Sequence, residues 1–143
     1  MREIKFRVWD EHYRYMNYKV IVGMWGKESL NDENYTTCSM YIMPDKVDYK
    51  CKPHWANFEP YMEDIHLMQY TGLKDSEGTE IYEGDILESV AFGSEEIGKI
   101  IYSEDDAMFE LDTDGVVLNF SNENSKWWTV IGNIYENPEL LGE

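Results

Sequence analysis

At the start of the chain, apolar and polar positions alternate. In "REIKFRVWDEHYRYMNYKVIV", Ile4, Phe6 and Val8 are interleaved with Lys5, Arg7 and Trp9. That is the period of a strand, whose successive side chains point to opposite faces. Asp10, Glu11 and His12 interrupt the alternation, and a second β-rich run follows from Arg14 to Val22. The pattern predicts a β-hairpin with one apolar face and one basic-aromatic face. From Gly23 to Asp64 the alternation fades. Asn, Asp, Gly and Pro punctuate short aromatic pieces, and no helical period is sustained. Tyr41 to Met43 is expected to pair as a short strand. The rest is expected to be an irregular excursion packed down by Tyr49, Trp55, Phe58 and Tyr61.

After His66 the period-two signal returns, broken by turn chemistry. "LMQYTGL" leads into "KDSEG", where Asp75 suits the opening of a type I turn and Gly78 the left-handed position that follows. "YEGD" is a second turn, after which Ile86 to Phe92 reads as a strand. "GSEEIG", "SEDDA", "DTDG" and "SNENSK" then separate four short strands: Lys99–Tyr102, Met108–Leu111, Val116–Phe120 and Trp127–Ile131. Short strands with turn signals every eight to twelve residues predict a small antiparallel barrel or sandwich. Pro138 restricts Asn137 in "NPEL", which predicts a single helical turn at the end. Residues 1–65 are therefore read as an N-terminal hairpin with its excursion, and residues 66–143 as an acidic β-barrel, the two making one compact unit.

Charge separates the same two stretches. Residues 1–65 carry 9 Lys/Arg against 11 Asp/Glu, a net of −2, whereas residues 66–143 carry 3 against 18, a net of −15. A field of that sign repels a phosphate backbone over a screening length of ~8 Å, so duplex nucleic acid is not an expected partner of the C-terminal stretch. A basic protein is attracted by it. The aromatic content of 15% gives the chain the material for a core, which disordered acidic tails lack. Two cysteines, Cys38 and Cys51, and no apolar run of signal or membrane length after Met1 make a reducing cytoplasm the expectation, with no membrane association.

Several candidate chemistries can be weighed from spacing. Cys38, Cys51, His54 and His66 are four zinc-type ligands, but they lack the paired C-x2-C knuckle of structural sites. "ELDTDGVVLNFS" has Glu110, Asp112, Asp114 and Gly115 where an EF-hand loop has its first ligands and its glycine. It has Ser121 where that loop needs a bidentate Glu, and Asp114-Gly115 is a strong two-residue hairpin signal. No nucleophile motif or phosphate-cradling loop accompanies His12, His54 or His66, and the acids fall in turns, where they are expected to be solvated and alike. No catalytic function and no cofactor are expected.

Two binding readings are left. The basic-aromatic face of the hairpin, with Lys5, Arg7, Trp9, Arg14 and Lys19, is a candidate platform for single-stranded nucleic acid. An acidic surface bearing Glu104, Asp105, Asp106, Asp112 and Asp114, with aromatics such as Tyr102, Trp127, Trp128 and Tyr135, is a candidate protein interface, and Trp128 is its expected anchor. In a strand, Trp127 and Trp128 point to opposite faces, so one is expected in the core and one at the surface. The protein-binding reading is preferred. It includes imitation of nucleic acid toward a basic host or phage partner, and self-association through exposed edge strands.

Three blocks carry a further resemblance: "KFRVWD" near the start, "LMQYTGLKDSEGTEIYEGDIL" at Leu67–Leu87, and "VIGNIYENPELL" at Val130–Leu141. Together they resemble the YopX family of bacteriophage and prophage proteins, with Gly23–Asp64 lacking the family pattern. The resemblance implies a mainly-β protein with a C-terminal part similar to an SH3-type barrel, encoded by a phage or an integrated prophage. It implies no catalytic residues. On this reading the second block forms a hairpin feeding the first long barrel strand. Gly72, Gly78, Gly84 and Asp85 shape its backbone, and Tyr82 anchors one face.

Overall fold

A computed structural model of the chain describes residues 3–11, 14–18, 20–24, 38–42, 65–90 and 96–142, without side chains at 20–24, 38–42 and Ile65. Every strand pairing described below is antiparallel, and the protein is mainly β. It divides into two units: Phe6–Leu67, and Met68–Glu143 together with Met1–Lys5.

In the smaller unit, β1 (Phe6–Asp10) pairs with β2 (Tyr15–Asn17), and Trp9 sits opposite Met16. This is the hairpin expected from the alternation at the start of the chain. Its faces differ from the expectation, however. Arg7, Val8 and Trp9 are all buried, so the face predicted to be basic, aromatic and solvated is covered as well. β3 (Val20–Met24) pairs with β4 (Cys38–Ile42) along its whole length. A strand therefore does form where Tyr41 was expected to pair, and it begins three residues earlier. Tyr49, Cys51, His54, Trp55, Phe58 and Tyr61 lie outside the described residues.

The larger unit holds most of β5 (Ile65–Lys74), followed by β6 (Glu80–Tyr82), β7 (Asp85–Ser89), β8 (Ile97–Ser103), β9 (Met108–Thr113), β10 (Val116–Asn119) and β11 (Trp128–Asn133). β7 to β11 form one sheet in the order β10-β9-β8-β7-β11, so the last strand crosses over to the edge opposite its predecessor. Two 3₁₀ turns, Ser125–Trp127 and Pro138–Leu141, flank β11. The second occupies the "NPEL" position. Ile81, Leu87, Ile100, Phe109, Leu111, Phe120 and Trp128 form the core, with Leu73 and Val130 packed on it. Alternation in "IGKIIYS" and "MFELDT" accounts for Ile100 and Leu111, which sit opposite each other on β8 and β9.

Turn chemistry sets the connections. β9 and β10 are joined by Asp114 and Gly115, at φ 50° and 86°, with Thr113 opposite Val116. This is the two-residue hairpin that the Asp-Gly pair predicts, and it leaves no calcium loop. Gly84 takes φ 77°. In that turn its N–H donates to Ile100 O at 2.9 Å, and its carbonyl accepts from Ile134 N–H at 2.9 Å. One turn thereby ties β8 to the segment after β11, and a side chain there is strained by the backbone alone.

Against the expectation that the acids are solvated, Asp75 and Asp85 are buried, as is Glu110 on β9. Asp85 accepts the Tyr82 N–H at 2.7 Å, and both Asp75 and Asp85 are 1% exposed. Asp75 Oδ1 accepts from Glu77 N–H at 2.9 Å and from Thr79 N–H at 2.8 Å, while Oδ2 accepts from Val130 N–H at 3.0 Å. Ser76 N–H also donates to Trp128 O at 2.9 Å. The β5–β6 loop thus occupies hydrogen-bonding groups of β11. Burial by itself would raise the Asp75 pKa. The backbone amides of Val130, Thr79, Glu77 and Gly78 outweigh it and hold the carboxyl below its ordinary value.

The start of the chain is fastened to the same hairpin. Lys5 Nζ donates to Glu80 Oε1 at 2.5 Å and lies 5.5 Å from the Tyr70 ring centroid. Tyr82 Oη donates to Glu80 Oε2 at 2.9 Å, and Tyr70 N–H donates to Lys5 O at 2.9 Å. The Lys5 ammonium and the Tyr82 hydroxyl together hold the Glu80 pKa down. The second sequence block is therefore a hairpin shaped by turn residues, with Tyr82 buried against Tyr70 at 5.4 Å.

Candidate functional site

The acidic residues singled out from sequence do not form one cluster. Glu104, Asp105 and Asp106 occupy the turn between β8 and β9, whereas Asp112 and Asp114 lie at the far end of β9. Six strand residues separate the two turns, about 20 Å at ~3.3 Å per residue. The reason is simple: alternating turns of an antiparallel meander fall at opposite ends of the sheet. Asp112 is half-buried, with Oδ2 3.9 Å from Lys99 Nζ, so its charge is partly matched. Glu104 and Asp105 are exposed, and no cation pairs with them among the described residues.

The expected anchor is also displaced. Trp128 is 5% exposed and belongs to the core, while Trp127 is 57% exposed. The two indoles do divide between core and surface, but at the junction of a 3₁₀ turn with β11 and not by alternation within one strand, and the surface one is Trp127. It closes the 3₁₀ turn, and its carbonyl accepts from Val90 N–H at 2.7 Å.

A cleft of about 320 Å³ opens beside the Glu104–Asp106 turn, lined by Gln69, Thr71 and Leu73 of β5, Tyr102, Ala107, Met108 and Phe109 around the β8–β9 connection, and Phe120 and Ser121 after β10. Tyr102 is 44% exposed and stands edge-on to Phe109, with ring centroids 5.3 Å apart and planes at 69°. The turn is held by Ser103, whose Oγ accepts the Asp106 N–H at 3.2 Å, and it ends at Ala107 with φ 52°. Because Ala107 lines the cleft, the turn that carries the three acids borders it. The cleft wall on the β5 side is shaped by a bulge after Tyr70. There Thr71 Oγ1 donates to Ile81 O at 2.8 Å and accepts the Leu73 N–H at 3.1 Å.

The nucleic-acid candidates fare differently from one another. Lys5 is engaged by Glu80 and Glu3, Arg7 and Trp9 are buried, and Arg14 is exposed in the β1–β2 turn at φ 50°. Lys19 lies outside the described residues. The stacking platform predicted around Trp9 is therefore not a solvent face, because both faces of β1 are covered. Of the zinc-type ligands, His66 lies 3.1 Å from Glu11 Oε2. Cys51 and His54 lie outside the described residues, among which no group of three metal-binding side chains occurs. Among the described residues no helix is long and apolar enough to cross a membrane.

The family model for the YopX protein matches residues 5–142. The chain belongs to the YopX family. Among solved structures it is similar to protein EF1440 from Enterococcus faecalis, with 28% identity, 99% of each chain covered and a TM-score of 0.60. It is also similar to protein yopX from Bacillus subtilis, with 22% identity, 99% of each chain covered and a TM-score of 0.52. The latter likeness is one of fold. No curated protein matches the chain. Membership agrees with the three sequence blocks, and the YopX match extends through the stretch from Gly23 to Asp64, where no family pattern was legible.

Tyr102 is the functional candidate that the sequence named as an aromatic but did not rank. Its signal was present: it follows Ile100 by two, on the same face of β8, at the strand end beside three consecutive acids.

Proposed function

We propose that this YopX-family chain is a non-enzymatic accessory protein of phage or prophage origin that acts in the bacterial cytoplasm by binding a basic protein. The larger unit, with the SH3-type character implied by the family resemblance, presents the acidic surface. The observation that carries this reading is the exposed, unmatched Glu104–Asp106 turn at the rim of a cleft containing a half-exposed tyrosine. Carboxylates so placed accelerate encounter with a cationic partner, and an aromatic beside them supplies contact area that charge alone lacks. The negative field of the unit resembles that of a polyanion, which makes nucleic-acid mimicry the natural form of the interaction. The residues lining the cleft carry no carboxylate, imidazole, amine or thiol, which favours binding over acid–base chemistry.

Self-association belongs to the same reading. β10 is an edge strand, and Val116, Val117 and Leu118 on it are 60%, 50% and 39% exposed. Uncharged edges of this kind pair readily with another chain. Sedimentation of the protein and of Val117→Lys tests this, since a Lys on the edge should shift any assembly toward monomer.

The main test is capture from host lysate on the immobilised protein at low salt. A basic protein should be retained, should elute as salt rises, and should be lost by the combined Glu104→Gln, Asp105→Asn and Asp106→Asn variant. Capture that ignores salt or the triple change would refute the acidic-surface reading.

A further inference from the structure

We infer that the cleft beside the β8–β9 turn is a binding site for an arginine side chain presented by an extended, partly apolar segment of the partner. The inference rests on the acidic-surface reading and adds to it a location, a residue type and a contact geometry. Three features converge. First, the Tyr102 ring is half-exposed and held in place by its edge contact with Phe109 at 5.3 Å. A fixed, accessible aromatic face attracts a cation, and a planar guanidinium both stacks on such a ring and retains its in-plane donors.

Second, those donors have acceptors nearby. Glu104 and Asp105 belong to the turn that leads into Ala107 of the cleft lining, are exposed, and pair with no cation among the described residues. Carboxylates match the fork of arginine in two-point contacts, which a compact ammonium does not reproduce. Third, the cleft continues beyond the ring into apolar surface from Leu73, Met108 and Phe120. That surface suits an aliphatic neighbour of the arginine, whereas a free cation would leave it uncovered. The polar wall at Gln69 and Ser121 offers partners to the main chain of a segment lying along the cleft. Charge complementarity thus selects a basic occupant, and the shape and chemistry of the wall select arginine flanked by apolar residues.

The test uses the full chain and three fluorescein-labelled pentapeptides: Leu-Arg-Leu-Arg-Leu, its lysine counterpart, and its citrulline counterpart, which keeps the shape and loses the charge. Anisotropy should rank arginine above lysine by about threefold, as expected for a partly exposed cation–π contact, with citrulline weakest. Tyr102→Leu, checked for folding by its thermal transition, should remove the preference for arginine over lysine. Amide shifts on adding the arginine peptide should centre on Tyr102, Ala107 and Ser121. Equal binding of the arginine and lysine peptides, or shifts away from those residues, would overturn the cleft assignment; persistent salt-sensitive binding to poly-lysine would then preserve the acidic-surface reading. Absence of binding to every cationic probe would overturn both.

Discussion

The Asp75 carboxylate accepts the Val130 N–H at 3.0 Å across 55 positions of sequence, so a turn residue of the β5–β6 hairpin closes the hydrogen bonding of the last strand. The same group bonds two amides of its own loop. A buried, ionised acceptor with three donors gains charge-assisted hydrogen bonds, and those donors are stranded if it is removed. Asp75→Ala should therefore lower unfolding stability by about 3 kcal/mol. Asp75→Asn should cost less, because one oxygen survives. Urea denaturation of both variants checks this, and a change below ~1 kcal/mol for the alanine variant would mean that water replaces the carboxylate at little cost.

The same carboxylate gives stability a pH dependence. Both Asp75 and Glu80 have pKa values lowered on folding, Asp75 because backbone amides outweigh the burial that would raise it, and Glu80 through the hydrogen bond from Lys5. A lowered pKa means that the unfolded chain binds protons first. The stabilisation is therefore complete above the ordinary values of 3.8 and 4.5 and is lost as pH falls through the lower folded values. Protonating exposed acids relieves self-repulsion and acts in the opposite direction. The urea midpoint should fall below about pH 4.5, and the double variant Asp75→Asn, Glu80→Gln should flatten that limb. Parallel limbs for the wild-type protein and the double variant would assign the acid loss to other groups. Lys5, raised by the same Glu80 contact, acts at the other extreme: its contribution is held below the ordinary lysine value and disappears as pH rises past the folded one.

The physical basis of these contacts also explains what could be read in advance. Alternation located the strands after His66, because one face of each must reach a core residue such as Ile100 or Leu111. Asp114-Gly115 and Gly84 marked turns because their backbone angles favour those residues. Period two cannot reveal a strand buried on both faces, and β1 is such a strand, which is why Arg7 and Trp9 were assigned to solvent. Nor does local pattern reveal a long-range acceptor: Asp75 reads as an ordinary turn acid, because the amide that distinguishes it comes from Val130. Glu104, Asp105, Asp106 and Asp114 do lie in turns, whereas Asp112 lies within β9; which turns share an end of the sheet depends on strand order, and strand order is not a local property.

The adjacent indoles give a sharp comparison. Trp128 is 5% exposed among core residues, whereas Trp127 is 57% exposed. Trp128→Ala should cost about 3–5 kcal/mol through lost burial and the cavity left behind. Trp127→Ser should change stability by less than ~1 kcal/mol, since its backbone bond to Val90 is retained. Tryptophan emission should report the same asymmetry, with an external quencher losing part of its effect in Trp127→Ser. Comparable destabilisation by the two substitutions would show Trp127 to be covered in solution, as an interface between copies would require.

Gly98 on β8 tests how tightly the sheet's neighbouring strands approach. A Cβ built there would stand 2.7 Å from Thr113 Cγ2, 2.9 Å from Leu111 Cδ1 and 3.0 Å from Asp112 O. The threonine methyl can rotate away, but the backbone oxygen belongs to a strand already paired with β8 from Lys99 to Ser103. Relief therefore requires the β9 end of the sheet to shift, and overpacking of that kind costs about 1–3 kcal/mol. Gly98→Ala should lower the urea midpoint accordingly. Adding Thr113→Ser should return part of the loss, because it removes the nearest clashing atom while keeping the hydroxyl that donates to Val116 O at 3.1 Å. If the double variant is no more stable than Gly98→Ala, the backbone contact dominates; if Gly98→Ala is neutral, the strands at this end of the sheet can separate freely.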